Sequence, residues 1–207
     1  MITVELDNFS LREICQSGQC FRMRETGENT YELIAGDQYL KLTQEGTIVT
    51  FYCSDVEFLC YWVPYFDLDA DYAGYIERIN PRDHYLKEAA ECGSGIRILR
   101  QDLWEMIITF LISQQNNIAR IRGCIDRLCK QYGEQRQSQD GVEYWTFPTP
   151  QQLGMATEED LRALGMGYRA KYLVETTRSI LTEEVSLEKI YRMRYYRKAR
   201  QELMKLS

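Results

Sequence analysis

The 207 residues, 44% hydrophobic and 27% charged, predict a globular protein of one domain or two small ones, without a signal peptide or a run near the roughly 20 apolar residues of a membrane span. A single histidine, His84, and seven cysteines without a C-x-x-C pair argue against metal sites, disulfide frameworks and Ser-His or Cys-His catalysis, so free buried thiols are expected. Residues 1–96 carry 7 Lys and Arg against 17 Asp and Glu, a net charge of −10. Residues 97–207 carry 18 against 14, a net charge of +4. The positive second half favours a polyanionic partner, and the alternative is that its arginines only form solvated helix faces.

The first fifty residues predict β-structure. Alternating segments at 2–6, 31–34, 39–43 and 47–52 are separated by turn residues, a spacing typical of an antiparallel meander. A short helical turn is expected over 9–14, between the first two of these strands.

The chain after Cys53 predicts helices. Ser54 and Glu57 have the spacing of a capping box, and Pro64 is expected to end that helix. Asp83 and Tyr85 predict that His84 lies at a helix N-terminus and makes a structural hydrogen bond there. The further helices are predicted at 69–79, at 81–92 with Pro81 first and Gly93 past the end, at 102–113, after Asn116 or Asn117, after Thr149, from Thr157 to Gly165, at 169–181 and at 187–206.

Four consecutive amides, Gln114 to Asn117, lie between two apolar helices. Each amide offers a donor and an acceptor, and Arg120 follows close behind, so the segment has the chemistry to pair with base edges and phosphates. A capping turn is the alternative interpretation, although a cap needs only one amide.

A second unusual segment runs from Leu164 to Tyr172. Gly165 and Gly167 permit close backbone approach, and Tyr168 follows them beside Arg169 and Lys171. A flat ring next to cations suits insertion into a base stack. The alternative is a helix end at Gly165 followed by a core tyrosine.

In this order, the segments at 96–102, 116–121 and 167–172 resemble the 8-oxoguanine DNA glycosylases of the helix-hairpin-helix superfamily. Residues 17–22, Ser-Gly-Gln-Cys-Phe-Arg, are similar to the lesion-contacting strand motif of the same family. The resemblance implies an α+β fold. Residues 1–90 would form an antiparallel sheet domain similar to the TATA-binding protein, and residues 91–207 an incomplete all-α glycosylase domain.

The resemblance also implies site residues. Lesion-base recognition falls to Gly18, Gln19 and Phe21. Gly18 matches a glycine whose carbonyl accepts the hydrogen on N7 that 8-oxoguanine carries and guanine lacks. The opposite cytosine and the duplex would be contacted by Gln115, Asn116, Asn117, Arg120, Tyr168 and Arg169.

Within that set, Tyr168 would pry the duplex apart, and Arg120 and Arg169 would bond the cytosine left behind. Gln115 departs from the asparagine that the family often places there, which puts the contact in the vacated space in doubt.

The family's lysine nucleophile and its supporting aspartate would follow a stretch like 199–204, so we expect no catalytic residue within 1–207. The surface is the expected place for Lys171, Lys189, Lys198 and Lys205. The chain is then either part of a longer glycosylase or a natural short protein that binds damage without cleavage. The first is favoured because four apolar side chains would otherwise be partly exposed, those of Ile190, Met193, Leu203 and Leu206.

The implied activity of the complete protein is excision of 8-oxoguanine opposite cytosine in double-stranded DNA, with lyase activity at the abasic site. No metal, cofactor or membrane is implied, and a cytoplasmic monomer is expected. The alternatives are a non-catalytic damage-binding protein, a glycosylase for another modified purine, and an interaction module unrelated to DNA.

Overall fold

The computed structural model describes residues 1–206, which divide into two compact units. The sheet unit comprises residues 1–34 and 39–100. The helical unit comprises residues 35–38 and the chain from residue 101 onward. These units divide at different residues from the predicted domains, 1–90 and 91–207, which stay a prediction. The predicted order, an antiparallel sheet followed by a helical region, is confirmed.

Five antiparallel strands form one sheet in the order β1-β5-β4-β3-β2. Alternation of buried and exposed residues predicted four of them. The second strand was missed because only the first of its five residues is buried. The strands are β1 (Ile2–Glu5), β2 (Met23–Gly27), β3 (Thr30–Ala35), β4 (Gln38–Glu45) and β5 (Ile48–Tyr52).

Four of the five helices that the structure describes in the sheet unit begin where a side chain caps them, and α3 is the exception. Asp83, rather than Pro81, sets the start of the last one, because its carboxylate accepts from the Leu86 N–H. Gly93 ends that helix as predicted. His84 is its first residue, as predicted, but is exposed, and its side chain makes no hydrogen bond among the described residues. The helices are α1 (Leu11–Gln16), α2 (Asp55–Glu57), α3 (Val63–Tyr65), α4 (Tyr72–Glu77) and α5 (His84–Cys92).

A π-helical turn, Phe58–Trp62, joins α2 to α3. The predicted capping box of Ser54 and Glu57 opens this run. Pro64 was expected to end it, which is wrong, since the helical backbone continues to Tyr65. The wider π turn just before the proline tolerates the missing N–H and the bulk of its ring. Its Trp62 is fully buried in the core of the sheet unit.

The helical unit contains seven helices and a two-stranded hairpin within its described residues. The side chains of Asp102, Asn117, Thr149 and Thr157 accept from backbone N–H groups at the predicted helix starts. The elements are α6 (Leu103–Ser113), α7 (Ile118–Tyr132), β6 (Gln135–Gln137), β7 (Glu143–Trp145), α8 (Pro150–Leu153), α9 (Glu158–Ala163), α10 (Arg169–Leu181), α11 (Leu187–Tyr191) and α12 (Tyr196–Leu203).

Two features of this unit differ from the prediction. The β6–β7 hairpin was missed, although Asp140-Gly141 is a turn signal and Gly141 has φ +81°. The single helix predicted over 187–206 is two helices, because Tyr195 takes an extended backbone with φ −106° and ψ 115°. Neither glycine nor proline marks that break in the sequence.

No disulfide joins the cysteines among residues 1–206, and two of them are not buried as expected. Cys60 and Cys92 are exposed, while the other five are buried. Burial, with Glu57 adding to it, raises the pKa of Cys53 to about 11. Among residues 1–206, no helix is long and apolar enough to cross a bilayer, and no group of three or more His, Cys, Asp or Glu is placed to hold a metal ion.

Candidate nucleic-acid interface

The residues predicted to contact the lesion base, Gly18, Gln19 and Phe21, lie in the recognition turn, residues 17–22. This segment is a turn rather than a strand, and β2 begins after it. Gly18 is exposed and has φ +77°, a left-handed conformation that favours glycine. A Cβ on Gly18 would meet nothing within 4 Å, so its backbone faces open space. An incoming group therefore has room beside this glycine.

Gln19 fixes the recognition turn to residues far away in the chain. Its Nε2 donates to the Arg97 carbonyl at 2.9 Å, and its Oε1 accepts from the Leu99 N–H at 3.1 Å. Phe21 is half-buried beside the buried Arg22. The predicted contacts of Gln19 and Phe21 with a lesion base stay a prediction.

Arg97 is a buried cation that holds several loops of the sheet unit together. Its guanidinium donates to the carbonyls of Asn8, Asp7 and Ala70 at 3.0 to 3.2 Å, and lies 4.2 Å from the ring centroid of Tyr72. Burial lowers its pKa from the ordinary range, and Tyr72 and Asp67 oppose that shift. The charge is thus solvated by backbone carbonyls instead of water.

The amide loop, Gln114 to Asn117, joins α6 to α7 in the helical unit. Asn117 caps α7, because its Oδ1 accepts from the Arg120 N–H at 3.0 Å. Asn116 donates to the Ile112 carbonyl at 3.0 Å and accepts from the Asn117 N–H. Two of the four amides therefore shape the loop, so the capping interpretation is right for part of it. Their predicted DNA contacts stay a prediction.

Gln115 is the strained member of the amide loop. It is exposed with φ +47°, which is uncommon for a residue with a side chain. Within residues 1–206, its side-chain amide has no hydrogen-bond partner. Gln115 is thus held in an unusual backbone conformation with its donor and acceptor available to a ligand.

Arg169 holds that conformation in place. It is buried, and its Nε donates to the Gln114 carbonyl at 2.8 Å. Its Nη2 donates to the carbonyls of both Gln114 and Gln115, the latter at 2.9 Å. The guanidinium also lies 4.6 Å from the ring centroid of Tyr168. The structure thus places Arg169 and the amide loop together, while its predicted contact with cytosine stays a prediction.

Arg120 and Tyr168 are available at the surface of the helical unit. Arg120 is exposed in the first turn of α7, and Tyr168 is 48% exposed just before α10. Gly167 precedes the tyrosine with φ +61° and open space around it. The Tyr168 hydroxyl lies 3.4 Å from the Gln114 carbonyl. Tyr168, Arg169 and the amide loop therefore form one cluster, and the alternative of a core tyrosine is wrong.

The cationic segment, residues 191–200, adds positive charge to the helical unit. It carries five Arg and Lys side chains and three exposed tyrosines. Arg192 pairs with Glu188 at 2.7 Å. Among the described residues, Arg194, Arg197 and Arg200 have no carboxylate within 4 Å. Sequence analysis did not single out this segment, although its composition was the available signal.

The apolar residues expected to need a packing partner have mixed environments. Ile190 is buried, which contradicts the expectation of exposure, while Met193, Leu203 and Leu206 are half-buried. A cavity of about 410 Å³ is lined by Leu103, Met106, Ile107, Phe110, Leu111, Gln114, Leu203 and Leu206.

The four lysines considered as catalytic candidates are all exposed, as expected. Lys171 lies 3.9 Å from Glu175, and Lys205 lies 2.7 Å from Glu202. Neither arrangement desolvates the amine, so neither activates it as a nucleophile.

Two family models together match nearly the whole chain. The model of the 8-oxoguanine DNA glycosylase N-terminal domain matches residues 1–107, and that of the HhH-GPD superfamily of base excision DNA repair proteins matches residues 108–204. The N-glycosylase/DNA lyase of Saccharomyces cerevisiae is 32% identical over 199 residues, which cover 88% of this chain. The chain spans about half of that relative's length, 52%.

Two solved structures match the chain, one at high and one at low sequence identity. The 8-oxoguanine glycosylase/lyase of Clostridium acetobutylicum, in complex with double-stranded DNA containing cytosine opposite 8-oxoguanine, matches with a TM-score of 0.91 and 34% identity. That match covers 100% of this chain and 73% of the other. A 3-methyladenine DNA glycosylase from Archaeoglobus fulgidus shares the fold alone. It matches at 16% identity with a TM-score of 0.64, over 92% of this chain and 72% of the other. The chain therefore belongs to the 8-oxoguanine DNA glycosylase family of the HhH-GPD superfamily.

Proposed function

We propose that this protein removes 8-oxoguanine opposite cytosine from double-stranded DNA, with lyase activity at the abasic site, and that residues 1–207 recognise both bases. The observation that carries the proposal is the exposed, left-handed Gly18 in its anchored turn. It occurs in a chain 34% identical over its whole length to the Clostridium acetobutylicum enzyme that was solved with this base pair.

The Gly18 carbonyl would discriminate the lesion by accepting one hydrogen bond. The hydrogen on N7 is present in 8-oxoguanine and absent in guanine, so guanine would present a lone pair to the same acceptor. A buried acceptor without a partner costs ~1–3 kcal/mol, which corresponds to a preference of roughly 5- to 150-fold at this contact. The open space beside Gly18 leaves room for a base at that position.

The helical unit would hold the duplex after the base has been extruded, since the bond to be cleaved is inaccessible inside the stack. Tyr168 is exposed beside the buried Arg169 and would fill the stack as a wedge. Gln115 is exposed and would offer its side-chain amide to the cytosine. Arg120 is exposed and would offer the N–H donors of its guanidinium. The cationic segment would contribute contacts to phosphates.

No lysine among residues 1–206 is buried, so these residues are assigned recognition and no bond-breaking step. A lysine nucleophile acquires its reactivity through desolvation or a neighbouring cation. The family's lysine chemistry is assigned to the whole protein and not to one of the exposed lysines described above.

Binding of the 207-residue chain to labelled duplexes tests this proposal. We expect 8-oxoguanine:cytosine to bind roughly 5- to 150-fold more tightly than guanine:cytosine. Equal binding of both duplexes would instead favour a glycosylase for another modified purine. Affinity that does not change with added salt would favour an interaction module unrelated to DNA.

Borohydride trapping on the same lesion duplex tests the assignment of chemistry. We expect lesion-selective binding without a covalent adduct. An adduct would show that a competent lysine lies within residues 1–207 and would overturn the assignment of recognition alone.

A further inference from the structure

We infer that Gln19 does not contact the lesion base but is a positioning residue, which fixes the Gly18 carbonyl by bridging the backbone of Arg97 and Leu99. The inference rests on the proposed function only where it concerns the choice between 8-oxoguanine and guanine. The bridge itself is a property of the free protein.

Both ends of the Gln19 amide are occupied. The donor end bonds the Arg97 carbonyl at 2.9 Å and also lies 3.2 Å from the Ser17 hydroxyl. The acceptor end bonds the Leu99 N–H at 3.1 Å. Both N–H groups of the amide are thus taken, and donation to a base would require giving up one of these bonds, so the side chain is better suited to hold the turn.

The bridge has the geometry of a strand pairing. In an extended segment, the carbonyl of one residue and the N–H of the residue two further on point to the same edge. Arg97 and Leu99 present these two groups, and the intervening Ile98 is exposed. A single amide side chain thus replaces a neighbouring strand along residues 97–99.

The segment bonded by Gln19 makes further hydrogen bonds of its own through Arg97, Ile98 and Arg100. The Arg97 guanidinium is buried and donates to four carbonyls, the three described above and that of Asp67 at 3.4 Å. The Ile98 N–H donates to the Tyr72 hydroxyl at 2.9 Å, and the Arg100 N–H donates to the Tyr65 carbonyl at 2.8 Å. Gln19 therefore attaches the recognition turn to a connecting segment that is itself hydrogen-bonded to other parts of the sheet unit.

Gly18 needs that attachment more than any other residue of the turn. It has no side chain, its backbone is left-handed, and open space surrounds the position of a Cβ. Glycine samples many backbone conformations when nothing restrains it. An acceptor that distinguishes two bases by one hydrogen must be held within about 0.5 Å of the productive position. The neighbouring Gln19 supplies this restraint.

Substitution of Gln19 by glutamate allows the bridge to be switched by pH. A carboxylate keeps the acceptor for the Leu99 N–H but has no donor for the Arg97 carbonyl, whereas a protonated carboxyl has both. We expect Q19E at pH 7.5 to lose about fivefold to thirtyfold of the 8-oxoguanine over guanine preference. We expect recovery towards pH 5, because an ordinary glutamate has a pKa of about 4.3 and the facing carbonyl favours the protonated form.

Gln16 provides the matched control, since it is exposed at the end of α1 and its side chain has no partner among the described residues. Q16E should keep the wild-type preference at both pH values. A preference of Q19E equal to that of wild type at pH 7.5 would overturn the inference. So would a loss that Q19E and Q19L share equally at pH 5, because a merely structural role predicts no rescue by protonation.

Amide hydrogen exchange of residues 16–22 tests the bridge without DNA. We expect faster exchange in Q19L than in wild type or Q16E, with exchange of β4 unchanged. Unchanged exchange in the turn would overturn the inference even if the preference falls. If wild type itself shows no lesion preference, the proposed function fails, and the exchange result still decides the role of Gln19.

Discussion

Arg97 in the sheet unit and Arg169 in the helical unit use the same device for different purposes. Both are buried, at 5% and 4% exposure, and both place the guanidinium fork on backbone carbonyls. Arg97 supports a turn that presents a backbone acceptor, and Arg169 supports a loop that presents a free amide and lies beside an exposed aromatic ring. The comparison teaches that each unit uses a buried cation to fix the backbone of a neighbouring segment through its carbonyl groups.

The two units differ in the charge that surrounds these supports. The first 96 residues carry a net charge of −10, and the remaining residues carry a net charge of +4. Discrimination of a base by the hydrogen on N7 would depend on the position of one acceptor, whereas binding of a duplex depends on charge along the phosphate backbone. The acidic sheet unit and the cationic segment of the helical unit fit this division.

Replacement of Arg97 by methionine should have the largest effect on stability. It removes the donor from four carbonyls, those of Asp7, Asn8, Asp67 and Ala70, so we expect a loss of about 3 kcal/mol in the free energy of unfolding. Urea unfolding measures it. Arg100, 69% exposed and paired with Asp67, is the control, and R100M should cost less than about 1 kcal/mol. Equal costs for R97M and R100M would contradict the buried role of Arg97.

Replacement of Arg120 by alanine should change the choice of opposite base without a comparable loss of stability. A two-pronged contact with a base is worth ~1–3 kcal/mol, so we expect the preference for cytosine over adenine opposite 8-oxoguanine to fall about 5- to 150-fold. Competition binding with the two duplexes measures it. Arg162 is exposed on α9 and pairs with Glu158, so R162A should leave the preference intact. Unchanged discrimination in R120A would remove the proposed role.

Alanine at Gly18 and at Gly167 should separate the two kinds of recognition. Both glycines are left-handed with open space around them, so each substitution should cost ~1–2 kcal/mol of backbone strain. Thermal unfolding should show similar losses. G18A should lower the 8-oxoguanine over guanine preference, whereas G167A should weaken binding to both duplexes alike. The reverse pattern would contradict the assignment of the lesion contact to the sheet unit.

Neutralisation of the cationic segment should have the smallest effect near physiological salt, where screening acts over ~8 Å. In the triple variant R194Q/R197Q/R200Q, the dependence of log affinity on log salt should weaken by up to about 2.7, since each phosphate that is no longer neutralised accounts for about 0.9. Undamaged duplex titrated at several salt concentrations provides the measurement. R78Q/R82Q/K87Q removes the same charge from exposed positions of the sheet unit and should leave the slope unchanged. Equal slopes for both triple variants would exclude binding of phosphates by this segment.

Local signals in the sequence determined where many elements begin. Ser54, Asn117, Thr149 and Thr157 each accept a hydrogen bond from a backbone N–H three residues on, so the pairing is visible within four letters. Alternation determined four of the five strands, because a strand with one face buried repeats every second residue. Order and spacing of the motifs likewise determined the family.

Only the tertiary structure decided what the polar residues of the site do. Gln19 meets Arg97 and Leu99 across 78 and 80 residues, and Arg169 meets Gln114 across 55. The sequence shows the same glutamine or arginine whether its side chain faces a ligand or a backbone carbonyl. The resemblance in sequence therefore predicted contacts with bases for both Gln19 and Arg169. In the fold they lie beside the backbone of distant segments, because buried carbonyls and N–H groups require partners that local sequence does not supply.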